Sequence, residues 1–159
     1  MNQKEQVMNR QYINKDLKLD PRDINLFQID VVESSIQEAS RPGDQPFNVE
    51  LAHTMMHSLE SQKIKISLHV HISMKSNPDK MNARFVIDFH FQIKNLNDFY
   101  ELKEYNQAVF SNLLISTLLG ISFSTARGIV FERLSNTKLG GVILPAIDAQ
   151  ALLKMKWKV

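Results

Sequence analysis

The clearest pattern in the chain is an alternation of apolar and polar residues in two neighbouring stretches. Every second residue is apolar from Ile64 to Met74, and the same holds from Phe85 to Ile93. A period of two is typical of strands that bury one face and leave the other in water. The short polar stretch 77–80 lies between them and contains a proline, which predicts a β-hairpin.

Two further stretches upstream have a similar character. One runs from about Ile24 to Ile36, with Phe27, Ile29 and Val31 expected on one face; the other begins at Phe47 and ends near Met55, where the pattern fits either a strand or a helix. Residues 40–46 contain two prolines and a glycine, which predicts a loop between them. The pattern therefore predicts four consecutive antiparallel strands with one dry face and one wet face.

The chain after the fourth strand is predicted to be helical. Asn97 or Asp98 fits the N-cap of a first helix over residues 99–105. Residues 108–134 are too densely apolar for a helix with one narrow buried stripe, and Gly120 is a candidate division point within them. Polar residues interrupt this segment, so it lacks the run of about 20 apolar residues that a membrane span needs.

The last segment of the chain is apolar and contains turn-forming residues. Residues 139–146 are predicted to form an extended loop, after which Asp148 caps a short helix over Ala149–Met155. Strands followed by helices predict an α+β fold, a four-stranded antiparallel sheet with helices packed on one face. We expect residues 1–20 to form a poorly ordered arm and residues 21–159 to form one domain.

Composition narrows the functional classes. A chain of 159 residues is expected to form one domain, and the lack of cysteine excludes disulfides and thiolate metal sites. The first residues have no apolar signal segment, so a cytoplasmic location is expected. The net charge is only +2 and positive charge is concentrated only in residues 154–158, so neither a nucleic-acid partner nor direct membrane insertion is predicted.

Catalytic motifs are missing from the sequence. There is no Gly-x-Ser-x-Gly elbow, and Gly140-Gly141 is not followed by the Lys-Ser/Thr of a phosphate-binding loop. The sequence therefore predicts neither an enzyme nor a cofactor.

Histidines on the third and fourth strands are weak candidates for metal binding. A tight hairpin would set His69 opposite His90 and His71 opposite Asp88, with Cβ atoms about 5 Å apart. Three imidazoles and a carboxylate can hold zinc, whereas the alternative is ordinary polar residues on a solvated sheet face. The second interpretation is the simpler one, and no metal is predicted.

The apolar loop after the long helical segment also has two interpretations. It covers the edge of the sheet, or it walls a groove that is open to an extended client polypeptide. Arg127 is expected to make an ion pair or to clamp a carbonyl, or else to leave its charged end exposed. Exposed methionines suit an adaptable binding surface and buried ones fill gaps in a core; the candidates are Met55, Met56, Met74, Met81 and Met155. The predicted groove residues are Phe47, Val49, Phe85, Phe110, Leu114, Phe123, Leu139, Val142, Ile143, Leu144 and Ile147.

The order of these elements and two short sequences resemble the SecB family of export chaperones. The sequences are Phe123–Val130 (FSTARGIV) and, after a Gly-rich gap, Leu144–Leu152 (LPAIDAQAL), and the resemblance covers about Ile24–Leu153. It implies a homotetramer built as a dimer of dimers, with helices at the interface. It also implies ATP-independent holding of unfolded polypeptide in long apolar grooves.

Charge separates this chain from the better-known members of that family. Those are strongly acidic and use an acidic sheet face and tail to dock the export motor ATPase. Here the predicted wet face carries three lysines and two histidines and the tail is basic, which argues against docking to the motor (Lys63, Lys65, Lys75, His69 and His71).

Two functional hypotheses follow. The first is a SecB-like holdase for non-native polypeptide clients, with a role in protein export as one option. The second is a dedicated interaction or scaffold module, such as an antitoxin chaperone, without general client binding. Both predict self-association into a dimer or a tetramer.

Overall fold

The computed structural model describes residues 17–39 and 46–154 of the chain. Their main feature is a four-stranded antiparallel sheet with the strand order β1-β4-β3-β2. Helices follow the strands in the chain and pack on one face of the sheet, so the predicted α+β fold class is confirmed. The strands are β1 (Ile24–Gln37), β2 (Phe47–Ser58), β3 (Lys63–Met74) and β4 (Asn82–Ile93).

The two central strands supply the floor of the core. In β3 the even-numbered residues from Ile64 to Met74 are buried, and in β4 the odd-numbered residues from Ala83 to Ile93 are buried. Directly opposed residues share a face, as Ile66 does with Phe89. The predicted alternation therefore produces one helix-facing side, and the other side is called the open face below.

Strand β1 departs from simple alternation because it contains two register shifts. They fall between Leu26 and Gln28 and between Val31 and Glu33. Ile29 and Val31 pair with core residues of β4, as predicted, but Phe27 lies at the first shift and its ring contacts a histidine on the open face. The prediction that Phe27 shares a face with Ile29 and Val31 is therefore wrong, because an extra residue in a strand moves its side chains to the other face.

The predicted helix over residues 99–105 does not form. A 3-10 turn at Leu96–Phe99 leads instead into a small hairpin of β5 (Tyr100–Leu102) and β6 (Ala108–Phe110). Tyr105 at its tip has φ +59° and is fully exposed. Only Leu96 and Phe99 of the 3-10 turn are buried, so this stretch has too few core contacts to support a helix of its own.

The long apolar segment forms a single helix, α1 (Asn112–Leu134). Ser111 caps it, since its hydroxyl accepts a hydrogen bond from the backbone N–H of Leu114 at 3.2 Å. The predicted division at Gly120 is wrong, because a glycine weakens a helix by only about 1 kcal/mol and does not by itself end one. Among the described residues α1 alone has the length and composition to cross a bilayer, and nine of its 23 residues are buried within the fold.

The chain ends in the short helix α2 (Ala149–Lys154). As predicted, Asp148 caps it, with its carboxylate accepting from the backbone N–H of Gln150 at 3.2 Å. Met155 and the first 16 residues of the predicted arm lie outside the described residues. At the end of that arm, Leu17 and Leu19 pack against the core.

Candidate polypeptide-binding cleft

One flank of α1 is closed by the chain itself. Residues 139–154 run back along the helix above β2, and the Arg127 Nε–H donates to the carbonyl oxygen of Leu144 at 3.0 Å. Ala149 lies beside Gly120, and a Cβ added to this glycine would be 3.7 Å from the alanine methyl group. Of the predicted roles for Arg127, the structure shows the carbonyl clamp.

A histidine on β2 fixes the end of this closed flank. The His53 Nε2 lies 2.9 Å from the carbonyl oxygen of Leu152 in α2. A carbonyl oxygen only accepts, so Nε2 carries the hydrogen in this contact. Burial lowers the pKa of His53 from its ordinary value, and the hydrogen bond to Leu152 opposes that shift. Burial therefore favours the neutral imidazole in the folded protein, although the hydrogen bond to Leu152 favours the charged form.

The opposite flank of α1 is an open apolar cleft of about 790 Å³. Leu113, Thr117 and Ile121 come from one side of α1, because residues four apart share a helix flank. Alternate residues of β1 form the second wall, and the segment before β1 forms the third. The remaining lining residues are Leu17, Lys18, Leu19, Pro21, Ile24 and Leu26.

This cleft has the character of a site for apolar side chains. Its volume falls within the range of about 300–1,000 Å³ that is usual for ligand sites. Lys18 is the single charged residue among the described residues that line it, and Leu113 is 40% exposed at its mouth. Burying one Leu-sized side chain there would contribute about 1.5–3 kcal/mol.

The two edge strands of the sheet differ in their capacity to pair with another chain. β1 carries two bulges, which disfavour pairing with a further strand. β2 pairs with β3 over 12 residues without a break, and residues 54–58 are exposed. Two methionines lie there, with Met55 37% and Met56 64% exposed. The outer edge of β2 is therefore the better place for backbone pairing with an extended polypeptide.

The residues predicted to line a groove fall into three groups. Only Ile143 is freely exposed, at 62%. A second group is partly buried and packs against the core: Phe47, Val49, Phe110, Val142 and Ile147. The third group is buried in the core, where the chain itself covers it: Phe85, Leu114, Phe123, Leu139 and Leu144.

The cleft beside β1 involves residues that the sequence analysis did not single out. The spacing of Leu113, Thr117 and Ile121 indicates that they share one flank of the helix, but only the fold places that flank next to Ile24 and Leu26 of β1. Leu17 and Leu19 belong to the predicted N-terminal arm, for which the sequence indicates no role, and they line the cleft. Of the candidate methionines, Met55 and Met56 are exposed while Met74 and Met81 are buried; Met155 lies outside the described residues.

The predicted pairing of the histidines is wrong by four positions. His69 lies opposite Val86 and His71 opposite Arg84. The turn is centred between residues 77 and 78, two residues earlier than the predicted pairing requires, since the backbone N–H of Met74 bonds to the carbonyl of Met81. The parity of the pairing is unchanged, so the histidines stay on the open face.

Three of the four candidate metal ligands, His71, Asp88 and His90, each lie against another ionisable side chain. His90 contacts Asp30 at 3.0 Å, His71 contacts Glu50 at 3.6 Å, and Asp88 contacts Lys65 at 3.3 Å. Within residues 17–39 and 46–154, no three His, Asp or Glu side chains form a group that could hold a metal ion.

Comparison with known proteins identifies the fold. No family model matches the sequence, and no curated protein matches it by sequence. Among solved structures, the fold is similar to that of the Mycobacterium tuberculosis Rv1957 SecB-like chaperone, solved in complex with a ChAD peptide from the Rv1956 HigA1 antitoxin. The two chains are 12% identical with a TM-score of 0.57, and the match covers 88% of this chain and 96% of the other. The chain therefore has a SecB-like fold.

Proposed function

We propose that this protein is an ATP-independent cytoplasmic chaperone that binds unfolded or extended polypeptide. The supporting observation is the open flank of α1, an apolar cleft of about 790 Å³ in a protomer whose other flank is closed. Apolar side chains of a client would enter the cleft, and the free edge of β2 would offer backbone hydrogen bonds. Docking to an export motor forms no part of the proposal.

A second candidate is a dedicated chaperone for one partner. This alternative is supported by the structural neighbour, a SecB-like chaperone solved in complex with a peptide from an antitoxin. A general holdase would bind several unrelated unfolded proteins with similar affinity, whereas a dedicated one would bind one partner far more tightly. Titration with a panel of unrelated denatured proteins separates the two.

The experiment for client binding is suppression of aggregation of a denatured model protein, without ATP and at a stoichiometric ratio. Ile121→Asp puts a charge into the cleft and is expected to reduce suppression about tenfold, because the carboxylate must then be desolvated by the client. Leu102→Asp is the matched control, since Leu102 is 55% exposed and does not line the cleft. Equal suppression by wild type and Ile121→Asp would refute the cleft as the binding site.

Self-association is proposed through the outer side of α1. Near its C-terminal end Phe131 is 46% exposed, and Ser124 and Gly128 lie exposed within the two turns before it. Because Ser124 and Phe131 lie on either side of Gly128, an antiparallel second copy would set Phe131 against Ser124. Gly128 near the centre of the contact would let the two helices approach closely.

Gly128→Leu tests this interface without disturbing the protomer. A Cβ at position 128 meets nothing within 4 Å, and leucine favours a helix more than glycine does. We expect light scattering to give an oligomer for the wild type and a folded protomer for the variant. A variant that keeps the mass of the wild type would place the interface elsewhere.

A further inference from the structure

The open face of the sheet, opposite the cleft, has one end that is both apolar and cationic. A row of side chains crosses all four strands there: Met56 on β2 lies opposite Lys65 on β3, which lies opposite His90 on β4. Phe27 on β1 completes this row, with its ring centroid 6.0 Å from that of His90. Lys63 lies beside the row, with its Nζ 5.1 Å from the centroid of the Phe27 ring.

The apolar members of the row are placed by the edge strands. Phe27 is on this face because of the register shift between Leu26 and Gln28, and it remains 43% exposed. Met56 is 64% exposed at the other end. Bulges commonly re-aim a side chain next to a functional site, and here the bulge presents an aromatic ring to solvent.

The charges of the row are unbalanced. Lys65 and His90 each contact one carboxylate, those of Asp88 and Asp30. The Lys63 ammonium has no carboxylate within 4 Å among the described residues. The row lines a pocket of about 220 Å³ whose described lining includes two lysines and two histidines but no Asp or Glu. This volume is below the usual range of about 300–1,000 Å³ for small-molecule sites and suits a single side chain.

We propose that this row is a docking site for an acidic segment of another polypeptide that also carries aromatic residues. A carboxylate of the segment pairs with Lys63, and its neighbouring ring packs between Phe27 and Met56. Because the cleft lies on the other side of the sheet, both sites can be occupied at the same time. The inference does not depend on the cleft being a client site.

The test is a fluorescence-anisotropy titration of the full chain with a dye-labelled peptide of alternating Glu and Phe. The same peptide with Gln for Glu is the probe for charge. The acidic peptide is expected to bind about fivefold more tightly than the Gln peptide at low ionic strength, since one exposed ion pair is worth up to about that factor. The difference is expected to shrink at high salt.

Variants locate the binding on the row. Lys63→Glu is expected to weaken binding of the acidic peptide about tenfold, because the attraction between Lys63 and a peptide carboxylate becomes a repulsion between two carboxylates. Lys75→Glu is the matched control, since Lys75 is an exposed lysine just beyond the other end of β3, and it is expected to change binding less than twofold. Phe27→Ser is expected to weaken binding of both peptides, because both lose a ring contact. Thermal unfolding checks that each variant is folded.

Any of four results would overturn the proposal. The first is that the Gln peptide binds as tightly as the acidic peptide, and the second is that Lys63→Glu and Lys75→Glu weaken binding equally. The third is that Ile121→Asp weakens binding as much as Lys63→Glu, which would place the peptide in the cleft. The fourth is that the wild type self-associates and Lys63→Glu abolishes this association, which would identify a second copy as the occupant.

Discussion

The two flanks of α1 carry similar apolar side chains, but only one is covered. On the β2 side, residues 139–154 lie against the helix, held by contacts from Arg127 and His53 to main-chain carbonyls. On the β1 side, Leu113 and Ile121 face a cleft. The closed flank shows what this fold uses to cover such a surface, namely an extended apolar segment whose carbonyls accept hydrogen bonds from the walls. A client polypeptide of the same character would fit the open flank.

The largest predicted effect is on the free energy of unfolding, for which Leu152 on the closed flank is compared with Ile121 on the open flank. Leu152 is 1% exposed on the closed flank, so Leu152→Ala is expected to lower the free energy of unfolding by about 2–4 kcal/mol. Ile121 is only partly buried on the open flank, so Ile121→Ala is expected to cost about 1 kcal/mol. Urea unfolding at a fixed protein concentration measures both, and equal losses would show that the open flank is sealed.

A smaller effect is predicted for the clamp on the closed flank. Arg127→Met removes the donor to the Leu144 carbonyl and is expected to cost about 1–2 kcal/mol, as hydrogen bonds from charged groups do. Arg133 is the control on the same helix, because its pair with Glu132 is long at 3.9 Å and exposed. Arg133→Met is expected to stay within about 0.5 kcal/mol of wild type in the same urea titration. Similar losses of stability for the two variants would show that the hydrogen bond from Arg127 to Leu144 does not stabilise the fold.

Much of the sheet could be predicted because it rests on local patterns. The alternation in β3 and β4 predicts which face of each strand is buried, and Asp148 caps α2 as predicted. The register of the hairpin was harder to predict, since the partner of His69 depends on which residue lies at the centre of the turn, and several polar residues there fit equally well. The bulge at Phe27 could not be predicted, because an extra residue leaves no mark in the composition of the strand.

The site was harder to predict than the fold. Apolar residues such as Phe123 and Leu144 look alike in sequence whether they line a groove or fill a core, and the structure places both in the core. Residues 139–154 cover one flank of α1 and leave the other open. The choice of flank depends on contacts between residues far apart in the sequence, which local patterns do not indicate. Leu17 contributes to the cleft only because the segment before β1 lies along the sheet, which a polar, weakly patterned sequence does not indicate.

The smallest predicted effect is a pH dependence of the closed flank. Burial lowers the folded-state pKa of His53 below the ordinary value of 6.5, so between the two values the unfolded chain binds more protons than the folded chain. The contribution of His53 to stability is therefore complete above about pH 6.5 and is lost as the pH falls toward the lowered pKa. His53→Gln keeps an N–H donor for the Leu152 carbonyl but does not titrate. Because the two proteins differ only at position 53, the wild type is expected to lose slightly more stability than His53→Gln between pH 7 and pH 5, as urea unfolding at each pH would measure. Parallel pH curves for the two proteins would show that protonation of His53 does not loosen the contact between β2 and α2.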